Sequence, residues 1–268
     1  MNFRDLGLSE KTIQAIDEFG IKEATTVQTD VIPSILQGKD VFTIAPQGCG
    51  KTTSYVFPLI DIISAKKAEN ILIITPDSEQ SVVVSDRLAI FNKYHEINEA
   101  TIKDKDEDID DEANVIIGSP DLLVELSDEK KIDFSKVSIL VVDDINLIKK
   151  KKQLDNLEKI LALLPADKQN IVYTNRRSKE TQSILEKILK TPEEIKVDKN
   201  KEQEAEITAQ SAPVVKPQPN KPRFAPSNRD KHSVELMKKN NSFGGKTPEF
   251  ILVAGNVAFD DGSDAQNA

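Results

Sequence analysis

Lys51 and Thr52 close a glycine-containing stretch, residues 45–52, whose residue types suit phosphate binding. The stretch follows an apolar run at 40–44 and precedes a run of helical character. A strand, a glycine-containing turn, Lys-Thr and a helix form the context of a phosphate-binding P-loop, because glycines let backbone N–H groups turn towards phosphate oxygens. Lys51 is then expected to reach the terminal phosphates, and the Thr52 hydroxyl to bind Mg²⁺. Ala45 departs from the general pattern, which begins with glycine.

The elements that must position this loop form an alternation of apolar runs and amphipathic segments. Continuous Val/Ile-rich runs are typical of parallel strands buried on both faces, and the segments between them are typical of covering helices. The sequence therefore predicts an α/β fold with a mainly parallel sheet, whose functional residues lie at the carboxyl ends of the strands. Beyond the strand before the P-loop, the predicted strands are 71–74, 115–117, 139–142 and 170–173, and the predicted helices are 9–19, 26–36, 51–65, 79–92, 153–164 and 178–190.

The composition excludes several classes of protein. The chain has 268 residues, a formal net charge of −9, one cysteine and no tryptophan. A single cysteine argues against a disulfide scaffold and favours a reducing, cytoplasmic location. No apolar run approaches the roughly 20 residues that span a bilayer, so we expect no membrane association. The acidic balance is unlike that of a dedicated nucleic-acid-binding protein.

The residues after 197 differ in character from those before them. They are polar, rich in proline and poor in apolar side chains, which predicts a disordered tail over 198–268 behind a single domain over 1–197. Eight basic residues against two acidic ones give 216–246 a net charge of +6. The apolar run 250–254 is read either as one isolated strand or as a docking segment.

Taken together, residues 1–197 resemble the first RecA-like domain of DEAD-box RNA helicases. Phe3 lies upstream of Gly20-Ile21 and of Gln28, as in the Q motif of that family, and residues 45–52 match its Ala-x-x-Gly-x-Gly-Lys-Thr form of the P-loop. The resemblance implies ATP and Mg²⁺ as cofactors, with the Phe3 ring stacked on adenine and the Gln28 amide reading its edge. The ATP-binding residues it implies are Phe3, Gln28, Ala45, Gln47, Gly48, Cys49, Gly50, Lys51 and Thr52.

Asp143 and Asp144 follow a hydrophobic run where the family has Asp-Glu-Ala-Asp. The resemblance implies that Asp143, with Thr52, holds Mg²⁺, partly through water, and that Lys51, Asp143 and Asp144 are the catalytic residues. Asp144 is one methylene shorter than the glutamate that orients the attacking water, and Asn146 replaces a carboxylate that helps to link hydrolysis to the Ser-Ala-Thr motif, here 174–176. We therefore expect slow hydrolysis and a broken link. The alternative is that the two acids only cap a turn or helix.

The residues that would face RNA differ further from the family. Ser78 and Leu122 stand where the family has phosphate-binding arginines, and an acidic stretch, 104–112, replaces a glycine pair. Phosphate backbones are bound chiefly by Lys and Arg, so we expect the domain to repel RNA. Any RNA binding is then weak, non-specific and confined to the basic tail. Alternatively, 104–112 is a solvated loop that lies away from any RNA. This alternative does not explain the loss of the two arginines at Ser78 and Leu122.

The sequence after 198 shows no second alternation of Val/Ile runs and helices, so we expect no second helicase domain within these residues. The favoured hypothesis is an ATP- and ADP-binding, helicase-like protein with weak or no ATPase activity and no autonomous unwinding, acting through a protein partner or its tail. The alternative is an active RNA-dependent ATPase or helicase component that is completed by a partner chain. A relic of the fold that binds neither ligand is the third hypothesis.

Overall fold

The computed structural model describes residues 1–68, 70–106, 109–110 and 112–197. The predicted tail over 198–268 lies outside the described residues, and so does part of the acidic stretch 104–112. The boundary between the two predicted regions at 197 therefore stays a prediction.

The described part of the chain builds one parallel sheet of seven strands, in the order β3-β4-β2-β5-β6-β1-β7. The predicted α/β fold with a parallel sheet is confirmed. The strands are β1 Val41–Ile44, β2 Asn70–Ile74, β3 Glu99–Thr101, β4 Val115–Gly118, β5 Val137–Val142, β6 Gln169–Thr174 and β7 Glu193–Lys196.

Eight α-helices connect these strands within the described ranges. They are α1 Glu10–Phe19, α2 Thr26–Leu36, α3 Lys51–Ser64, α4 Ser78–Phe91, α5 Pro120–Asp128, α6 Ile145–Lys150, α7 Leu154–Leu163 and α8 Lys179–Ile188. Apolar residues of α1 to α4 pack in the core on one face of the sheet, and those of α5 to α8 pack in the core on the other. The alternation of strands with helices explains this layering, because most of the parallel crossovers contain a helix, which covers one face of the sheet or the other.

The ends of the first two helices follow from local chemistry. Ser9 caps α1 by accepting a hydrogen bond from Thr12 N, and Gly20 ends this helix in the left-handed conformation. Thr25 and Gln28 form a capping box at the start of α2. This box fixes the Gln28 side chain beside the P-loop.

Candidate nucleotide-binding site

The loop between β1 and α3 has the backbone that phosphate binding needs. Gly48 and Gly50 have φ angles of 87° and 85°, in the left-handed region that favours glycine. A Cβ atom at Gly50 would also lie 2.7 Å from Gln28 Nε2, so no larger residue fits without displacing that amide. Lys51 is the first residue of α3, and the loop therefore presents its backbone N–H groups at a helix N-terminus.

This loop opens on a cleft of about 460 Å³. The cleft brings together seven of the residues predicted from the sequence, from the P-loop and from the end of β5. Its lining residues are Phe19, Ile21, Gln47, Gly48, Gly50, Lys51, Thr52, Thr53, Pro76, Gln80, Val83, Arg87, Asp143, Asp144 and Leu147.

Two P-loop residues that were predicted to bind ATP are buried and do not line the cleft. Ala45 is buried, and its N–H donates to Thr174 O, which ties the loop to β6. Cys49 is also buried, with Sγ donating to Pro46 O at 3.0 Å and its carbonyl accepting from Thr25 Oγ1 at 2.9 Å. Both residues shape the loop and do not line the cleft.

Gln28 supports the P-loop in this structure and does not line the cleft. Its side chain is 4% exposed, with Oε1 accepting from Thr25 N at 2.9 Å and Nε2 donating to Thr53 Oγ1 at 2.7 Å. Both ends of the amide are therefore engaged within the protein. The amide is held by the capping box and by α3, and its predicted contact with the edge of adenine stays a prediction.

Phe3 does not reach the cleft either. It is 2% exposed and packs edge-on against Phe57, with ring centroids 5.7 Å apart and an interplanar angle of 80°. The ring is packed in the core, and its predicted stacking on adenine stays a prediction. Two apolar side chains near the end of α1 do line the cleft. They are Phe19, the last residue of α1, and Ile21.

Lys51 faces Asp144 across the cleft. Its Nζ lies 3.6 Å from Asp144 Oδ2 and donates to Ala45 O at 3.4 Å, and both side chains are about nine-tenths buried. Asp144 has a left-handed backbone, with φ of 62°, and caps α6 by accepting from Leu147 N at 3.3 Å. The carboxylate of Asp144 is thus held by a cation and by a helix N-terminus.

Asp143 lies at the carboxyl end of β5 and is 4% exposed. Its Oδ2 accepts hydrogen bonds from Tyr55 Oη at 3.3 Å and from Gln80 Nε2 at 3.2 Å. Burial raises the pKa of the Asp143 carboxyl, and the nearby Lys51 ammonium opposes this shift. Burial, followed by the charge of Asp143, also raises the pKa of the Tyr55 hydroxyl, which therefore stays a donor.

Asn146 joins the end of β5 to the end of β6. Its Nδ2 lies 2.7 Å from Thr174 Oγ1, 3.1 Å from Asn175 Oδ1 and 2.7 Å from Arg176 O. Asn146 therefore still contacts 174–176 through an amide donor, while the expected loss of coupling to hydrolysis stays a prediction.

The surface expected to face RNA is occupied by groups of the chain itself. At the start of α4, Asp77 accepts from Gln80 N at 2.9 Å and pairs with Lys151 at 2.9 Å. At the start of α5, Asp121 N donates to Gln153 Oε1 at 3.2 Å. Side-chain oxygens thus accept hydrogen bonds from N–H groups at both helix N-termini.

The described ranges contain neither a metal-binding cluster nor a membrane-spanning helix. No three His, Cys, Asp or Glu side chains there lie together as a metal-binding group. No helix of the same residues has the length and apolar character of a membrane-spanning segment.

A P-loop at a helix N-terminus, facing buried carboxylates at the end of another parallel strand of the sheet, defines a P-loop α/β domain of the RecA-like type. The sequence profile of the DEAD/DEAH box helicases matches residues 25–208. Because this match covers more than half of the chain, the chain belongs to the DEAD/DEAH box helicase family.

Known proteins similar to this chain include a curated relative and two solved structures. The DEAD-box ATP-dependent RNA helicase CshA of Bacillus cereus is 27% identical over 203 residues, which cover 73% of this chain and 38% of CshA. A DEAD box protein from Methanococcus jannaschii superposes with a TM-score of 0.68 at 22% identity, covering 91% of this chain and 71% of that one. A hypothetical ATP-dependent RNA helicase from Sulfolobus tokodaii superposes with a TM-score of 0.65 at 27% identity, covering 71% and 57%. The chain thus spans well under half the length of its curated relative.

The fold brings to the cleft several side chains that were not predicted from the sequence. Tyr55 and Gln80 bind Asp143, and Phe19, Val83 and Arg87 extend the cleft beyond the P-loop. The helical spacing of 80, 83 and 87 was a usable signal for the α4 residues, since such positions share one helix face. Nothing in the sequence identified that face as the one that meets the P-loop.

Proposed function

We propose that this domain binds ATP and ADP with Mg²⁺ in the cleft between the P-loop and the end of β5. The observation that carries the proposal is that Lys51, Thr52 and Asp143 line one cleft with the left-handed glycines of the loop. Lys51 supplies a cation for the phosphates, and Thr52 and Asp143 supply the oxygen ligands that Mg²⁺ prefers. Bound Mg²⁺ would neutralise charge on the phosphates during transfer. The buried carboxylate of Asp143 fits this role, since its two hydrogen-bond donors are neutral and leave its charge for a cation.

We propose further that hydrolysis is weak or absent, and we place the cause at Asp144. Its carboxylate caps α6 and pairs with Lys51, so it does not project freely towards a water molecule in the cleft. The side chain is also one methylene shorter than glutamate, and a misplacement of about 1 Å in a catalytic group can cost on the order of 10²-fold in rate. The contacts of Asn146 argue against a broken link as the main cause.

RNA binding by the described domain is proposed to be minimal. The N-termini of α4 and α5 are capped by Asp77 and by Gln153, and the positions of the two family arginines are Ser78 and Leu122. Weak, non-specific RNA binding would then come from the basic stretch 216–246, with its net charge of +6. A cytoplasmic location, proposed from the single cysteine, agrees with such a role.

The alternative function is an RNA-dependent ATPase or helicase component that a partner chain completes. One observation favours it: Asn146 joins the end of β5 to 174–176, the two motifs that the resemblance implies are linked during hydrolysis. A protein partner is part of both candidate functions.

ATP turnover by the full chain, with and without single-stranded RNA, separates these functions. The proposal predicts turnover near the blank in both conditions and a rise in Asp144→Glu, in which the carboxylate reaches one methylene further. Strong stimulation of the unchanged chain by RNA would contradict the proposal and support the alternative. If ATP turnover does not rise in Asp144→Glu, the length of this side chain is not the cause of the weak hydrolysis.

A fluorescence-anisotropy titration of single-stranded RNA tests the assignment of RNA binding to the tail. About 4 to 6 phosphate contacts predict a log–log salt slope of roughly −3 to −4, independent of ATP. Substituting glutamine for the basic residues of 216–246 should abolish this binding. Binding that survives those changes, or that needs ATP, would show that the domain itself contacts RNA.

A further inference from the structure

A second cavity, of about 580 Å³, opens at the carboxyl ends of β1, β6 and β7. None of its lining residues lines the nucleotide cleft. Its volume lies within the range of small-molecule sites, which is roughly 300–1,000 Å³. The cavity therefore has the size of a ligand site of its own.

The register of the sheet brings the walls of this cavity together. Ile44, the last residue of β1, pairs with Thr174 of β6 on one side and with Lys196 of β7 on the other. Arg176 and Arg177 lie two and three residues beyond the end of β6. Parallel strands end at the same edge of a sheet, so the loop after β6 and the end of β7 flank the end of β1.

The charged groups that line the cavity are mainly cationic. They are Arg176, Arg177 and Lys196, together with one carboxylate, Glu194. The lining thus has an excess of two positive charges, whereas the whole chain has a formal net charge of −9. Glu194 pairs with Arg177, whose Cζ also lies 5.5 Å from the centroid of the Phe42 ring. The carboxylate of the lining is therefore engaged by one of the three cations, and the excess of positive charge favours an anionic ligand.

Arg176 is held in place through its backbone. Its carbonyl accepts hydrogen bonds from Asn146 Nδ2 at 2.7 Å and from Thr174 Oγ1 at 2.9 Å, and both of these side chains are buried. The ion pairs among the described residues do not include the Arg176 guanidinium, and Glu180, which interacts with its charge at longer range, is paired with Lys149. An exposed guanidinium on a fixed backbone suits the binding of an oxyanion, to which it donates two parallel N–H groups.

We propose that this cavity is an anion site, separate from the nucleotide cleft, which binds the phosphate group of a small phosphorylated molecule. Arg176 donates to the phosphate oxygens, and Lys196 adds a second positive charge, so that a phosphate dianion matches the excess charge of the lining. The side chains of Ile44 and Val197, 7% and 6% exposed, give the organic part of the ligand an apolar contact. The family motif Ser-Ala-Thr has an uncharged threonine at the position of Arg176, so the cation that carries the proposal is a feature of this chain.

The test is an NMR titration of the ¹⁵N-labelled full chain with inorganic phosphate and with glycerol phosphate. Backbone amide signals of 175–177 and of Lys196 report on the proposed site, and those of Gly48 and Gly50 report on the P-loop. Both titrants should shift the first set of signals to saturation, and glycerol phosphate should bind at least as tightly as inorganic phosphate. Sodium chloride at the same ionic strength is the blank, because screening alone produces no saturation.

Arg176→Ala removes the guanidinium but keeps the carbonyl that accepts from Asn146, so the loop after β6 should keep its fold. Affinity for both titrants at the proposed site should fall about tenfold, because a charge-assisted contact is lost. The signals of the P-loop should respond as they do in the unchanged chain. Arg176→Lys keeps the charge but loses the planar pair of donors, so its loss of affinity should be smaller.

Arg4→Ala is the matched control. It removes an exposed arginine, paired with Glu10, that lines neither cavity, and it should bind both titrants as the unchanged chain does. Thermal denaturation of each variant shows whether it folds.

Three outcomes would overturn the proposal. The first is equal affinity at the proposed site in the unchanged chain and in a folded Arg176→Ala protein. The second is a response of 175–177 and Lys196 to phosphate that chloride reproduces. The third is binding of inorganic phosphate without binding of glycerol phosphate, which would make the free ion the ligand. The two sites are read from separate signals, so a P-loop that fails to bind phosphate would leave this inference standing.

Discussion

Asn146 offers a sharp test of the contacts between the ends of β5 and β6. The perturbation is Asn146→Asp, which restores the carboxylate that the family has at this position. The change replaces the Nδ2 donor of the amide by a carboxylate oxygen. That oxygen would lie about 2.7 Å from Arg176 O, a carbonyl that cannot donate. The other carboxylate oxygen would take the place of Oδ1, which is buried and has no hydrogen-bond partner among the described residues.

The magnitude follows from the burial of this site. Asn146 is 3% exposed, so the introduced charge would be desolvated, and the Thr174 hydroxyl, 2.7 Å from the replaced nitrogen, would offset only part of this cost. A buried charge left without its partner typically costs about 3–5 kcal/mol of unfolding free energy. Asn146→Ala loses the hydrogen bonds without adding a charge and should cost about 2 kcal/mol. The carboxylate should therefore be the more damaging of the two changes at neutral pH.

The pH dependence distinguishes a buried charge from a steric effect. Burial would raise the folded-state pKa of the introduced carboxyl above its unfolded value of about 3.9. Its penalty is then absent below the unfolded pKa and grows as pH rises through the folded pKa. Urea unfolding of both variants at pH 7 and at about pH 4, followed by circular dichroism, should show the gap between them closing at the lower pH. An Asn146→Asp protein as stable as the unchanged chain at pH 7, or a gap that does not vary with pH, would refute this reasoning.

Three further predictions concern the supports of the site. Tyr55→Phe removes one of the two donors to Asp143 and should lower the unfolding free energy by about 1 kcal/mol in urea; no change would mean that the contact contributes nothing. Gln28→Ala breaks the capping box and should lower stability by about 1–2 kcal/mol without any nucleotide, so an unchanged melting temperature would contradict its supporting role. Burial lowers the pKa of His95 below 6.5, so the unfolded state binds more protons near pH 6 and stability should fall as pH drops through that range. The urea midpoint should decline less between pH 7.5 and 5.5 in His95→Gln, and equal declines would exclude His95 as the cause.

Much of the fold could be predicted because its signals are local. A few neighbouring residues determine each of these signals: the apolar runs, the P-loop and the helix caps at Ser9 and Gly20. The two edge strands, β3 and β7, escaped prediction because they are short and contain Glu99, Glu193 and other polar residues. Edge strands expose more surface than central ones, so they carry weaker hydrophobic patterns.

The candidate site was harder to predict because its contacts join distant segments. The ring of Phe3 meets Phe57, and the amide of Asn146 meets 174–176, and no pattern of spacing reveals either pair. Gln28 is different, since Thr-x-x-Gln at 25–28 is a visible capping-box signature. The family resemblance predicts that Gln28 binds a base, whereas the capping-box signature predicts that it caps α2.

The measurement that tests the central claim most directly is calorimetric titration of ATP with Mg²⁺ into the full chain and into Lys51→Ala. Lys51→Ala removes a charge-assisted contact worth about 1.5–3 kcal/mol, and affinity should therefore fall roughly 10- to 100-fold. Lys39→Ala, at an exposed ion pair with Glu193 away from the cleft, is the matched control and should bind as the unchanged chain does. Equal affinities in the unchanged chain and a folded Lys51→Ala protein, or no binding by the unchanged chain, would contradict the account.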